Sequence, residues 1–124
     1  VLKLADEKDP ISVYFVVLYN ILQVLMCYFI YKYVDSWFYT ILLAYFIGAV
    51  LNHGLFVLMH DITHFTSFKN PIHNQLLGIL SNLPQAIPNA ISFGRYHKDH
   101  HTFLGDEVLD PDIPTKIEIY MFNN

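Results

Sequence analysis

Residues 37–64 read WFYTILLAYFIGAVLNHGLFVLMHDITH, and this stretch decides the fold. From Trp37 to Met59 there are 23 residues without Asp, Glu, Lys or Arg, after which the chain turns polar at His60-Asp61-Ile62-Thr63-His64. As a helix rising about 1.5 Å per residue, the apolar part extends about 35 Å. That is enough to cross a hydrocarbon core of about 30 Å. Immediately upstream, Ile11 to Val34 gives 24 residues with no Pro, no Gly and the one charge of Lys32. Only Asp35 and Ser36 separate the two stretches, so the sequence predicts a tight transmembrane hairpin with spans at about 11–34 and 37–59. A pair of buried helices in a soluble domain is the alternative, but a domain of this size rarely surrounds two such helices on every side.

Composition supports the membrane reading. Of 124 residues, 54% are hydrophobic and 15% charged, against about 25% charged in ordinary soluble domains. The mean hydropathy is +0.35. These values exclude disorder and a coiled coil, and a formal charge of −4 offers no basic footprint for nucleic acid. A single cysteine, Cys27, excludes an intrachain disulfide framework and a cysteine-rich zinc module. The first stretch is too long for a signal-peptide core and lacks a small-residue cleavage site after it.

Tyr31, Tyr33, Trp37, Phe38 and Tyr39 cluster at the hairpin tip, as an interfacial aromatic belt would. Lys3 and Lys8 precede the first span, and Lys69, Arg95, Lys98 and Lys116 follow the second. The positive-inside rule then puts both ends in the cytoplasm and the tip on the far side. Residues Ile72 to Phe93 are apolar but interrupted by Asn74, Gln75, Ser81, Asn82, Pro84, Gln85, Pro88 and Asn89. Such a segment is costly to place across a bilayer, so an interfacial or re-entrant helix with a proline break is expected. From Gly105 the chain reads as an acidic loop containing Asp106, Glu107, Asp110 and Asp112.

All seven histidines lie between residues 53 and 101. His60 and His64 stand four apart, and His97, His100 and His101 repeat the spacing of one helical face. Neutral imidazoles grouped in this way are metal ligands in waiting. His53 precedes His60 by seven residues, nearly two helical turns, so His53, His60 and His64 share a stripe. An ionisable group inside a span is a candidate ligand or ligand-orienting residue, or else a histidine paired within the bundle. Asp61 and Asp99 lie within the two clusters, where a carboxylate can fix the tautomer of a ligating imidazole. His73, with no partner at ligand spacing, reads as a surface or capping residue. His60-Asp61-x-x-His64 superficially matches a zinc-protease helix, but Asp61 stands where that chemistry needs glutamate. Five imidazoles exceed what one zinc requires and suit a two-metal iron site, although a histidine-rich zinc-binding membrane protein remains the non-enzyme alternative.

The two groups, H-x-x-x-H and H-x-x-H-H, resemble the first two histidine boxes of the membrane fatty acid desaturase and hydroxylase superfamily. The wider context is similar to the sphingolipid delta-4 desaturases. It comprises Asn52-His53, Asn82-Leu83-Pro84, Ile87-Pro88, Ile91-Ser92-Phe93, Arg95-Tyr96-His97, Leu104-Gly105 and Asp110-x-Asp112-Ile113-Pro114-Thr115. The resemblance implies an all-α integral membrane protein: a transmembrane helical hairpin, an interfacial helix and cytoplasmic histidine-box helices, with residues 1–124 the N-terminal part of a four-span desaturase domain. It implies boxes at 60–64 and 97–101, with His60, His64, His97, His100 and His101 holding two iron ions. His53, Asp61 and Asp99 would be further ligands or their supports.

By the same resemblance the activity is an O2-dependent conversion of dihydroceramide to ceramide in the endoplasmic reticulum, inserting a trans C4–C5 double bond. Electrons would come from NADH through cytochrome b5 and its reductase, with Lys69, Arg95 and Lys98 as docking candidates for the acidic donor. A C4-hydroxylase on the same scaffold is the nearest alternative. Two positions depart from the pattern: Asp61 replaces a usual glutamate, and Pro111 stands where a small aliphatic residue is common. The family's third histidine box has no counterpart in this sequence, so this piece is expected to be inactive alone.

Overall fold

The computed structural model describes residues 8–85 and 87–122, apart from the side chain of Lys116. It is helical, with no strand among the described residues. Helix α1 runs Ile11–Tyr33, α2 Trp37–Leu43, α3 Ala49–Thr63, α4 Pro71–Ser81, α5 Ala90–Phe103 and α6 Lys116–Phe122. A π-helical turn at Ala44–Gly48 joins α2 to α3, so helix is unbroken from Trp37 to Thr63. The chain divides into two compact units, one up to Ile91 and one from Ser92.

In the first unit, α1 and the continuous helix Trp37–Thr63 are the two described helices long and apolar enough to cross a membrane. The core helices of a soluble protein are mostly buried, whereas only 11% and 6% of these apolar windows are covered. Val24 is 67% exposed and Tyr45 70% exposed. Apolar surface on that scale needs lipid or further helices around it. The two helices suggest membrane association.

The buried part of this unit is small. Val16, Leu55, Ile62 and Leu77 pack together where α1, α3 and α4 meet, with Tyr19, Leu58 and Phe68 against them. Close approach of α1 and α3 depends on Gly54: a Cβ there would lie 2.4 Å from the Tyr19 ring. Buried polar residues fasten the same end. The Ser12 and Ser67 hydroxyls meet at 2.9 Å, and the Asp9 amide donates to the Thr66 carbonyl at 3.0 Å. Asn74, fully buried, accepts from the Ser67 and Phe68 amides and donates to the Phe68 and Asn70 carbonyls. One carboxamide thus satisfies the backbone of the turn between α3 and α4.

Local chemistry sets the helix ends. Asn70 caps α4 by accepting from the Ile72 amide at 2.9 Å, and Pro71 fills the first helical position. His73 is exposed with its ring edge-on to Phe68, so the cap is Asn70 and not the histidine. The expected break in the 72–93 segment lies between Ser81 and Ala90, where Asn82 closes it by accepting from the Ala90 amide at 2.6 Å. In the second unit the acidic loop is present from Gly105 (φ +84°), but it ends in a further helix, α6. Thr115 and Glu118 open that helix reciprocally, with Glu118 Oε2 accepting from the Thr115 amide at 2.7 Å and Thr115 Oγ1 accepting from the Glu118 amide at 3.3 Å.

Candidate functional site

In the first unit, α3 carries three of the predicted histidines. Its inward row is Leu55, Met59 and Ile62, all buried. At about 100° per residue, His53, His60 and His64 lie on roughly the opposite side of the helix from that row. His60 is half-buried, while His53 and His64 are exposed. The helix continues four residues beyond Met59, and His64 is its C-cap. The His60 and His64 rings therefore meet edge to face one turn apart, with centroids 5.2 Å apart and planes crossing at 73°.

The helix stops there for identifiable reasons. Thr63 Oγ1 donates to the His60 carbonyl at 2.6 Å, and Thr66 Oγ1 donates to the Asp61 carbonyl at 2.9 Å, satisfying carbonyls that a helix end leaves open. Phe65 follows in the left-handed region at φ 57°, a position usually given to glycine, and turns the chain away directly after His64. Asp61 is exposed, and its contribution to this end is its backbone carbonyl.

In the second unit, α5 presents His97, His100 and His101. His97 Nε2 and His101 Nε2 are 3.0 Å apart. The contact is a hydrogen bond, one Nε2 donating to the other, and the same separation suits two nitrogens each about 2.1 Å from one ion at a right angle. The Phe93 ring lies flat on His97, with centroids 5.3 Å apart and planes within 10°, and limits how that imidazole can turn.

His100 Nδ1 meets Asp110 Oδ1 at 2.7 Å and Asp112 Oδ2 at 3.3 Å. Asp110 also accepts from the Gly105 amide at 2.8 Å and the Asp112 amide at 2.9 Å, and its side chain is 2% exposed. These donors, His100 first, hold the Asp110 carboxyl down to about 2, and the carboxylate in turn raises the His100 imidazole above its ordinary value. The Tyr96 hydroxyl donates to the Pro111 carbonyl, and the neighbouring Asp112 carboxylate raises its pKa. Asp106 accepts from the Val108 and Leu109 amides, which lower its pKa and close the loop's first turn.

The sequence reading missed Asp110 and Asp112 as partners of the second box, where it offered Asp99 as a candidate. Asp99 is exposed, and the carboxylates on His100 come from the loop instead. The signal was present as two aspartates two apart, ten and twelve residues beyond His100. Lys69, Arg95 and Lys98 are exposed.

The comparisons with known proteins decide the family. The fatty acid desaturase family model matches residues 35–122. The chain belongs to the fatty acid desaturase family. The human sphingolipid delta(4)-desaturase is 37% identical over 118 residues, covering 94% of this chain and 36% of the relative. The Drosophila melanogaster sphingolipid delta(4)-desaturase is 43% identical over 90 residues, covering 71% of this chain and 28% of the relative. A Caenorhabditis elegans protein named as a sphingolipid delta(4)-desaturase/C4-monooxygenase is 40% identical over 116 residues, covering 92% of this chain and 32% of the relative. The desaturase chain thus spans about a third of the length of these curated relatives. No solved structure matches it.

Proposed function

We propose that this chain is part of a sphingolipid delta-4 desaturase that converts dihydroceramide to ceramide. In this reading His60, His64, His97, His100 and His101 are ligands of a two-iron centre, with His53 beside them. The observation that carries it is the His97–His101 pair at chelating distance on α5, in a chain whose relatives are named as sphingolipid delta(4)-desaturases. An all-imidazole donor set fits iron, and iron supplies, when bound, the power to use O2 against an unactivated C–H bond. The hydrogens leave C4 and C5 of the sphingoid base. O2 takes them up with two electrons and two protons and leaves as water. NADH supplies the electrons through cytochrome b5 and its reductase, with exposed Lys69, Arg95 and Lys98 as docking points.

The protein's own part is to place and isolate the reaction. The two apolar helices hold the chain in the endoplasmic reticulum membrane, with the hairpin tip lumenal and both histidine groups cytoplasmic. Apolar α4, which exposes Ile72, Leu76 and Ile79, lies along the interface where a lipid chain enters. A C4-hydroxylase is the second reading, favoured by the double name of the Caenorhabditis elegans relative.

Expression of the full-length protein in cells lacking dihydroceramide desaturase tests this. Ceramide with a C4–C5 trans alkene is the expected product, and His60→Ala or His100→Ala removes it while membrane insertion is unchanged. A 4-hydroxy base as sole product would establish the hydroxylase. Ceramide formation retained in either variant would overturn the ligand assignment.

A further inference from the structure

We propose that Asp110 is a positioning residue that fixes His100 in the Nδ1–H tautomer and thereby presents Nε2 as its metal-ligating nitrogen. The inference rests on the iron reading above, and its geometry lies wholly within the second unit.

The argument begins with the acceptor count at Asp110. Oδ1 accepts from His100 Nδ1 at 2.7 Å and from the Asp112 amide at 2.9 Å. Oδ2 accepts from the Gly105 amide at 2.8 Å. Two of these three partners are backbone N–H groups, which can only donate, so the carboxylate must be the acceptor toward them. Ionised, it has no proton to give to the imidazole. The hydrogen in the 2.7 Å contact therefore sits on His100 Nδ1, and in neutral imidazole this leaves the lone pair on Nε2. Without such a partner, the two tautomers are free to exchange and the ring is free to rotate.

The loop is built to keep Asp110 where it is. Its side chain is 2% exposed, although most of the loop around it is open to solvent. The Asp110 amide donates to the Asp106 carbonyl at 3.1 Å, and Asp106 in turn caps the amides of Val108 and Leu109. Gly105 takes φ +84°, a conformation that side chains resist, and this aims its N–H at Oδ2. A second fastening lies one helical turn back from His100, where the Tyr96 hydroxyl donates to the Pro111 carbonyl. Asp110 is the nearer carboxylate, with Asp112 Oδ2 at 3.3 Å from the same imidazole nitrogen. The pattern is a histidine whose non-ligating nitrogen is held by a buried carboxylate, and loss of such a partner typically costs 10- to 100-fold in metal affinity.

The test uses the full-length protein reconstituted in lipid nanodiscs with 15N-labelled histidine. In the metal-free wild type above the histidine titration range, long-range 1H–15N spectra should show His100 as the Nδ1–H tautomer. Asp110→Asn, whose amide can donate to Nδ1, should produce a mixture containing Nε2–H. Titration with Fe(II) should then show affinity lowered about 10- to 100-fold in Asp110→Asn. Glu107→Gln, which removes an exposed carboxylate of the same loop that plays no part in holding Asp110, should bind Fe(II) as the wild type does. A wild-type His100 in the Nε2–H form overturns the proposal and needs no variant to fold. Unchanged tautomer and affinity in Asp110→Asn overturn it as well. A wild type that shows the Nδ1–H form but takes up no Fe(II) overturns the iron reading and, with it, the ligating role assigned to Nε2.

Discussion

At the scale of single residues, His100 and Asp110 show how a short loop can govern a histidine box. Their mutual effect makes the loop pH-dependent in the metal-free protein. The lowered Asp110 carboxyl contributes stability that is fully present above about 3.9, the unfolded carboxyl value, and this is lost as pH falls through about 2. The raised His100 contributes stability present below about 6.5, which is lost as pH rises through its folded value. The loop is then most secure between about pH 4 and 6.5. The Gly105 amide resonance, whose donor bond ends on Asp110, should hold its folded position across that window and move on either side of it. A Gly105 resonance indifferent to pH at both ends would count against the pairing. The histidine spacings were readable because residues that share one helical face follow the helix period. The Asp110 partnership was not, because it spans a loop whose path depends on Gly105, Asp106 and Tyr96 together.

At the scale of elements, the presence of two long apolar helices was legible, since length and scarcity of charge mark a candidate span. The details of their ends were not. Helix α3 runs to Thr63 because threonine hydroxyls and the Phe65 turn close it, features that an apolar count ending at Met59 does not weigh. The π turn at Ala44–Gly48 inserts a wider turn without any proline or charge to announce it. Helix α6 had a signal that went unread, the capping box formed by Thr115 and Glu118. Packing of α1 on α3 turns on Gly54. Gly54→Ala would drive a methyl group into the Tyr19 ring, at an expected cost of about 1–3 kcal/mol. A lowered thermal unfolding temperature of the detergent-solubilised protein would show it. An unchanged temperature would mean that the ring moves aside freely and that the contact does not hold the hairpin.

At the scale of the whole molecule, composition and the distribution of lysine and arginine carry the reading. The broad class was legible because so much apolar surface and so little charge point to a bilayer, and the family entered through the order of its polar residues. The topology makes a direct prediction. In sealed microsomes, Tyr31→Cys in a background with every native cysteine, Cys27 included, replaced by serine should react with a membrane-impermeant maleimide only after permeabilisation, whereas Leu104→Cys in the same background should react at once. The reverse pattern would invert the hairpin and put the histidines in the lumen.

Metal analysis of the purified full-length protein tests the central claim most directly. Iron at about two ions per chain, reduced by His97→Ala and by His101→Ala, is the predicted result for an imidazole-held two-metal site. One zinc per chain, or iron content indifferent to both substitutions, would contradict it.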